Sequence, residues 1–270
     1  MIYNLSRSAI EDRGLRGRRI VSETDSTYTV RVLDMFELVV LKEDQSLTPC
    51  LVADGFWESW ITSWLTRWVR PGMTFIDVGA NCGYYTMLAE KLVGQHGAVV
   101  AYEPNPVYVE LLRKTREINN ADFSLREIAL ADKVGHVTLS VPGQLHGSAS
   151  IVTSFKDTQW GESNAYDVRT TTLDNELQRI VFWNADVVKI DAEGAEQLVW
   201  NGGQNLFNAD MSHSTLMLEY TPGAYSDDFL TQLLNWGYVF EVAFDGGEVP
   251  AVREQIEAAT DWKMLIVRRK

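Results

Sequence analysis

The stretch Thr74-Phe75-Ile76-Asp77-Val78-Gly79-Ala80-Asn81-Cys82-Gly83-Tyr84 decides the fold. Thr74–Val78 is short and apolar apart from one acid, which suits a buried strand. Tyr84–Val93 places Met87, Leu88 and Leu92 on one helical face. A strand therefore runs into a helix through a turn that carries Gly79 and Gly83. Glycine lets the backbone turn sharply there and approach a ligand closely.

Outward from this turn the same alternation repeats. Ala98–Tyr102 reads as a second strand with Glu103 at its end. Asn105 is suited to cap a helix and Pro106 to occupy its first position, with the helix running to about Asn119. Ser124–Ala129 reads as a third strand and Val137–Val141 as an extra one. Val187–Ile190 is a further strand, Ala195–Asn201 a helix stopped by Gly202-Gly203, and Thr215–Tyr220 another strand. Ser226 is placed to cap a helix carrying Phe229, Leu230, Leu233 and Leu234, and Tyr238–Phe244 and Lys263–Val267 close the chain as strands. Repeated strand-then-helix order implies an α/β fold, a mainly parallel sheet with helices on both faces. The last two strands are joined through Asp245–Asp261 and are free to pair antiparallel. Ligands bind such sheets at the carboxyl ends of the strands. The residues there are Asp77–Gly83, Glu103, Ala129–Asp132, Asp191–Glu196 and Glu219-Tyr220.

The glycine loop has the spacing G-x-x-x-G with Asp77 before it. A dinucleotide loop would show G-x-G-x-x-G and seat a pyrophosphate on the helix N-terminus. A carboxylate at Asp77 would repel a pyrophosphate and suits a cationic ligand, such as an amino-acid ammonium group. No Gly-Lys-Ser/Thr follows, so the loop is not a P-loop. Glu103 is placed to accept hydrogen bonds from both hydroxyls of a ribose, a role shared by S-adenosylmethionine (SAM) and NAD sites. The pair Asp77 and Glu103 favours SAM. An NAD-dependent oxidoreductase and a non-catalytic module of the same fold stand as the alternatives.

A second constellation is Lys189-Ile190-Asp191-Ala192-Glu193-Gly194-Ala195-Glu196. Acids at a helix start complement its dipole, which accounts for Glu196 and partly for Glu193. It accounts poorly for Asp191, at a strand end. Methyl transfer to a hydroxyl requires alignment and removal of the acceptor proton. Asp191 is the leading candidate base or acceptor-orienting group, with Glu193 and His146 as further candidates; His213 is the other histidine placed near the cleft. A lone histidine is more often a surface or satisfied residue. Asp191 and Glu193 supply only two acids toward an octahedral Mg²⁺ site, so no metal is assigned.

The chain's 270 residues, 46% hydrophobic and 23% charged, suffice for a full core. Net charge is −13, without the basic footprint of a nucleic-acid binder, and it disfavours anionic lipid surfaces. No apolar run approaches membrane-spanning length. Cys50 and Cys82 form neither a zinc pattern nor a disulfide framework, and with no secretory signal a cytoplasmic location is expected. Residues 1–54 read as an extension before a domain spanning 55–270. The extension opens with a basic, mobile arm (Arg7, Arg13, Arg16, Arg18, Arg19), followed by a short β-hairpin over 28–41. The hairpin offers an edge through which a homo-oligomer could form. Trp57, Trp60, Ile61, Trp64, Leu65 and Trp68 recur at helical spacing and are expected to face the core. The polar stretch 143–170 has the length of a lid, and Trp160, Tyr166 and Tyr225 are candidates to stack on a sugar or aromatic ring.

The segments FIDVGANCGYYT, AYEPNP, IALADKVG, TTLDNEL, VVKIDAEGAEQLVWNG and LMLEY resemble, in this order, the motifs of the FkbM family of SAM-dependent methyltransferases. The resemblance covers roughly residues 55–220 and is most specific at K-I-D-x-E-G-x-E. It implies a Rossmann-like class I methyltransferase fold with a seven-stranded sheet and an antiparallel strand near the C-terminus. It implies mostly O-methylation of sugars, glycans and natural-product scaffolds, with N- or carboxyl-methylation as the runner-up. By motif, Asp77, Gly79, Ala80, Asn81 and Gly83 resemble the SAM loop, Glu103 with Pro104 the ribose position, and Ala129-Leu130 the wall beside adenine. Asp191, which also falls at the cofactor, Glu193 and Glu196 match the family's late acidic motif. Cys82 departs from the small aliphatic residue usual in such loops.

Overall fold

The computed structural model describes residues 2–144, 146–152, 164–177, 185–208, 214–226, 228–244 and 247–269. The chain opens with α1 (Arg7–Gly17), capped by Ser6, whose hydroxyl accepts from Ala9 N at 3.2 Å. Such a cap is worth about 1 kcal/mol. The arginine-rich start, expected as a mobile arm, is therefore a docked helix. Ile10 is fully buried, Arg7 bonds to Glu11 and Ser59, and Arg13 donates to the Leu33 carbonyl. The expected hairpin gains a strand. β1 (Arg19–Glu23), β2 (Thr27–Val32) and β3 (Phe36–Leu41) form an antiparallel sheet in that order, and every residue of the open edge strand β1 is exposed.

After α2 (Thr48–Ala53), α3 (Ser59–Trp68) carries the tryptophan stripe. Ile61, Trp64 and Leu65 are fully buried as expected, whereas Trp68 lies at the surface. Then follow β4 (Thr74–Val78), α4 (Tyr84–Val93), β5 (Ala98–Tyr102), α5 (Pro106–Ile118) and β6 (Ser124–Arg126). Asn105 caps α5 by accepting from Val107 N at 3.0 Å. Thr115 and Asn119 of this helix region bond to the backbone of Val39 and Glu37, so the outer edge of β3 is closed.

The expected third strand is divided. The Arg126 carbonyl takes Glu103 N at 3.0 Å, where β5 ends, so the chain beyond it finds new backbone partners. β7 (Ala129–Leu130) joins β8 (Gly135–Val141) and β9 (Asn164–Thr171) in a small sheet of order β7-β9-β8. β9 occupies the end of the stretch expected to be a lid; residues 153–163 lie outside the described residues.

The remaining elements are α6 (Leu173–Leu177), β10 (Val187–Ile190), α7 (Glu196–Gly202), α8 (Gln204–Asn208), β11 (Thr215–Tyr220), α9 (Phe229–Asn235), β12 (Tyr238–Phe244), β13 (Gly247–Ala251), α10 (Arg253–Glu257) and β14 (Lys263–Arg269). The helix expected to start at Ser226 begins instead with Asp228 as its cap residue, and Ser226 bonds to that carboxylate. The central sheet has the order β13-β12-β14-β11-β10-β4-β5-β6. β6, β5, β4, β10 and β11 pair parallel, and β14 runs antiparallel to both β11 and β12. The sheet expected to have seven strands has an eighth, because part of the Asp245–Asp261 connection folds back on β12 as β13.

Chain order reverses between β4 and β10, which makes the space above their carboxyl ends the natural ligand crevice. Each face of the sheet carries its own apolar cluster. Phe75, Val99, Val187 and Met217 pack with α3, α4, α5 and the N-terminal elements; Ile76, Val100, Val188 and Leu216 pack with Trp200, Phe207 and α9. Alternation along β4 sends Asp77 to the first face, and its register partner Lys189 on β10 projects to the same side. Among the described residues no helix is long and apolar enough to cross a membrane.

Candidate functional site

The turn after β4 is built by backbone conformations that few residues tolerate. Gly79 has φ +76°, and a Cβ there would lie 1.8 Å from the Asp191 carbonyl oxygen, so only glycine lets the β4 and β10 ends close together. Asn81 also has positive φ (55°), and its side chain accepts from Cys82 N at 2.6 Å, stabilising the turn locally. Gly83, at φ +94°, precedes α4 and abuts Leu112. Gly79 N and Ala80 N both donate to the Tyr102 carbonyl at 3.1 Å, tying the loop to β5.

Glu103 follows β5 and is nearly fully buried. One carboxylate oxygen accepts from Asn81 N at 2.7 Å and the other from Asn105 N at 2.8 Å. Each oxygen keeps a second lone pair. Burial raises this carboxyl from 4.5 to about 7, against the lowering effect of the two backbone donors.

The other side of the crevice centres on Lys189. Its ammonium lies 3.2 Å from Asp77 Oδ1, 3.2 Å from Asp191 Oδ2 and 3.3 Å from the Gly79 carbonyl, and 5.3 Å from the Tyr85 ring centre. Burial alone would push Lys189 toward neutrality, but Asp191 and Asp77 outweigh it and hold it above its ordinary value. Asp77, with no exposed surface, also accepts from Thr86 Oγ1 at 2.6 Å.

Around Asp191 gather Glu58, Glu193, Glu196 and Glu219. Burial is the first cause of every shift here. It raises Glu58 from 4.5 to about 7 and pushes Glu193 and Glu219 well above their ordinary value, with Asp191 adding repulsion in each case. Glu196 is raised too, although it accepts from Ala192 N at 2.7 Å and from the Tyr225 hydroxyl at 2.7 Å. Asp191, Glu196 and Glu219 each bring an oxygen within 4.8 Å of the others. Glu196 is committed to Ala192, Gly194 and Tyr225, and no metal is assigned to the trio.

These groups enclose a cavity of about 330 Å³. Tyr102, Glu103, Pro104, Ile128, Ala129 and Leu130 line the side beyond β5; Trp57, Glu58, Tyr85, Asp191, Glu193 and Glu219 line the side beyond β10. Ser46, Leu47, Gly147–Ala149 and Ile151 complete the wall. Asp44 holds the Ser46–Thr48 turn by accepting from Ser46, Leu47 and Thr48 backbone N–H groups.

Of the residues expected at the cofactor, Gly79, Ala80, Asn81, Glu103, Pro104, Ala129, Leu130 and Asp191 all border this cavity. Asp77 stands behind the wall, turned to Thr86 and Lys189, and Gly83 supports α4. Glu193 borders the cavity. Of His146 only the backbone is described, and Trp160 and His213 lie outside the described residues. Tyr166 packs in the small sheet, and Tyr225 is spent on Glu196 and the turn after β11. Sequence reading assigned no site role to Lys189, Tyr85 or Glu58, and it expected Trp57 to face the core, whereas Trp57 packs on the core and also borders the cavity. The position of Lys189 two residues before Asp191, on a strand, was the available signal, since residues at that spacing share a face. Glu58 had none beyond its place before the tryptophan helix.

A doubly wound α/β sheet with a glycine turn at its switch point and a strand-end glutamate beside it defines a nucleoside-binding domain. The model of the methyltransferase FkbM domain matches residues 77–240, more than half of the chain, and the chain belongs to this family of SAM-dependent methyltransferases. No curated protein matches the sequence. Among solved structures the chain is similar to a methyltransferase FkbM from Methylobacillus flagellatus KT, at 12% identity and a TM-score of 0.45, over 72% of this chain and 43% of that one. It thus spans less than half the length of that protein. It is also similar to a SAM-dependent O-methyltransferase from Thermotoga maritima (14% identity, TM-score 0.41, 75% of this chain and 61% of that one). A third is an O-methyltransferase from Bacillus cereus in complex with SAH (11% identity, TM-score 0.41, 73% of this chain and 74% of that one).

Proposed function

We propose that this chain methylates a hydroxyl group on a sugar, glycan or natural-product scaffold. The observation that carries this reading is the wall of carboxylates opposite Glu103: Glu58, Asp191, Glu193 and Glu219 around one cavity. A hydroxyl acceptor donates hydrogen bonds to such groups and needs a proton acceptor as the new bond forms. Burial and neighbouring acids push Glu193 and Glu219 upward, and a carboxyl in its neutral form also offers a donor to an acceptor's oxygens. A carboxylate acceptor would meet repulsion from Asp191.

The residues fit SAM. The free lone pairs of Glu103 suit two ribose hydroxyls, the bare backbone of Gly79 admits a close ligand, and Pro104, Ala129 and Leu130 offer an apolar wall to adenine. SAM supplies an electrophilic methyl group on a sulfonium. The protein's tasks are to align the acceptor and to receive its proton. Asp191, held by Lys189, is assigned to orienting the acceptor. Asp77 acts on Lys189 and Thr86, which fixes the floor of the site rather than touching the ligand.

The test is an acceptor screen with methyl-labelled SAM over sugars, glycans, polyhydroxylated scaffolds, amines and peptides, read by mass spectrometry. Label on a hydroxyl oxygen is expected. Label found solely on nitrogen or on a carboxylate would overturn the reading.

A further inference from the structure

Glu58 precedes the segment matched by the family model, which begins at residue 77, yet its side chain reaches the cavity wall. We propose that Glu58, aimed by Tyr85, is the base that takes the proton of the acceptor hydroxyl. The proposal rests on the O-methyltransferase reading and names the group that does its proton chemistry.

The backbone is the first argument. Glu58 sits at φ 36°, ψ 68°, in the left-handed region, at the start of α3. That conformation is unfavourable for a non-glycine residue. At a helix start the usual return is a side-chain cap, and Glu58 makes none. The conformation instead carries its carboxylate away from the helix and into the cavity, as strained residues at functional sites commonly do.

The carboxylate is then fixed in place. The Tyr85 hydroxyl, on α4, donates to Glu58 Oε2, and the Trp57 side chain donates as well. Tyr84 of the same helix and Asp191 and Lys189 from the β10 end are the other titratable groups facing it. Burial raises Glu58, Asp191 raises it further, and Tyr85, Lys189 and Trp57 lower it, leaving it at about 7. A general base works best when it titrates near the working pH.

The competing acids are otherwise engaged. Asp191 Oδ2 is paired with Lys189, Glu103 holds two backbone N–H groups, and burial together with neighbouring acids pushes Glu193 and Glu219 upward, which favours their neutral forms. Glu58 is half-buried, so it can pass its proton on to water. In the step, an oxygen lone pair of the acceptor forms the new O–C bond while the S–C bond of the sulfonium donor breaks. The bonding pair stays on sulfur, which becomes a neutral thioether. The hydroxyl proton moves to Glu58, which becomes a carboxylic acid.

The experiment uses the full chain, the labelled-SAM assay and whichever acceptor the screen identifies. Glu58→Gln is expected to lower kcat by about 10²- to 10⁴-fold, with SAM affinity by calorimetry unchanged, and to abolish the rise of kcat through neutral pH. Tyr85→Phe, which removes a donor that lowers Glu58, is expected to move that rise to higher pH. An acceptor-independent arm follows the carboxyl stretch by infrared difference between wild type and Glu58→Gln across pH 5–9. A carboxyl titrating near neutrality, missing in the variant, is expected. Glu58→Gln retaining more than a tenth of kcat with the same pH limb, or no titrating carboxyl in the infrared difference, would overturn the proposal. If the screen yields solely an amine acceptor, the O-methylation reading falls. The same two variants on that amine then decide whether Glu58 is the base.

Discussion

Lys189→Met removes the ammonium that is paired with both Asp77 and Asp191. The substitution keeps the volume close and leaves the sheet register intact, so its cost is electrostatic. Lys189 is 1% exposed and its ammonium is 3.2 Å from each carboxylate. Among the described residues Asp77 then keeps the Thr86 hydroxyl as its side-chain partner, in a position without solvent. Breaking a buried pair in this way costs about 3–5 kcal/mol, a large part of the roughly 5–15 kcal/mol that holds a typical domain together. Urea unfolding at pH 7, followed by circular dichroism, reads the loss as a fall in the midpoint at constant slope. The double variant Lys189→Met/Asp77→Asn is expected to recover a substantial part, because the amide carries no charge to strand. The cost of the single variant should also shrink as pH falls and Asp77 protonates. A single-variant cost below about 1 kcal/mol, or a double variant no better than the single one, would refute the claim that Lys189 neutralises a buried floor.

Other outcomes follow from the same site. Gly79→Ala is expected to cost about 3 kcal/mol or more, from positive φ and from the overlap with the Asp191 carbonyl, as a lowered thermal midpoint. Glu103 makes stability depend on pH with a defined sign. Its folded value, about 7, is raised above the ordinary 4.5, so the folded state binds the proton more tightly than the unfolded chain. Its contribution is fully present below about 4.5 and is lost as pH rises to about 7, to the extent of about 3 kcal/mol. Urea midpoints measured across that window should fall with rising pH, and Glu103→Gln should flatten the curve.

Much of the fold was legible because periodicity and punctuation agreed. Thr74–Val78 with its two glycines, Asn105-Pro106 and Gly202-Gly203 each mark an element boundary, and the strands between them are short apolar runs. β9 was not legible. Its exposure alternates weakly, and it gains its identity only by pairing with β8 across a long connection. The N-terminal helix was hidden for a similar reason: α1 is mostly polar and is held by Ile10 and by two close glycine contacts rather than by an apolar stripe. At the site, strand-end position is what brings Glu103 and Asp191 to the cavity wall. Asp77 faces away from that wall toward Lys189, its register neighbour, and a sequence does not show that pairing. Glu58 belongs to an element far from any motif, and tertiary folding alone brings it to the crevice.

The most direct test of the central claim, that the carboxyl edge of β4 and β5 holds SAM through Glu103, is calorimetric titration of wild type and Glu103→Ala with SAM and with NADH. Charge-assisted hydrogen bonds to two hydroxyls are worth about 2 kcal/mol or more together. The account predicts SAM binding to wild type, weakened at least about 30-fold in Glu103→Ala, and no binding of NADH. Equal SAM affinity in the two proteins, or tight NADH binding without SAM binding, would contradict it.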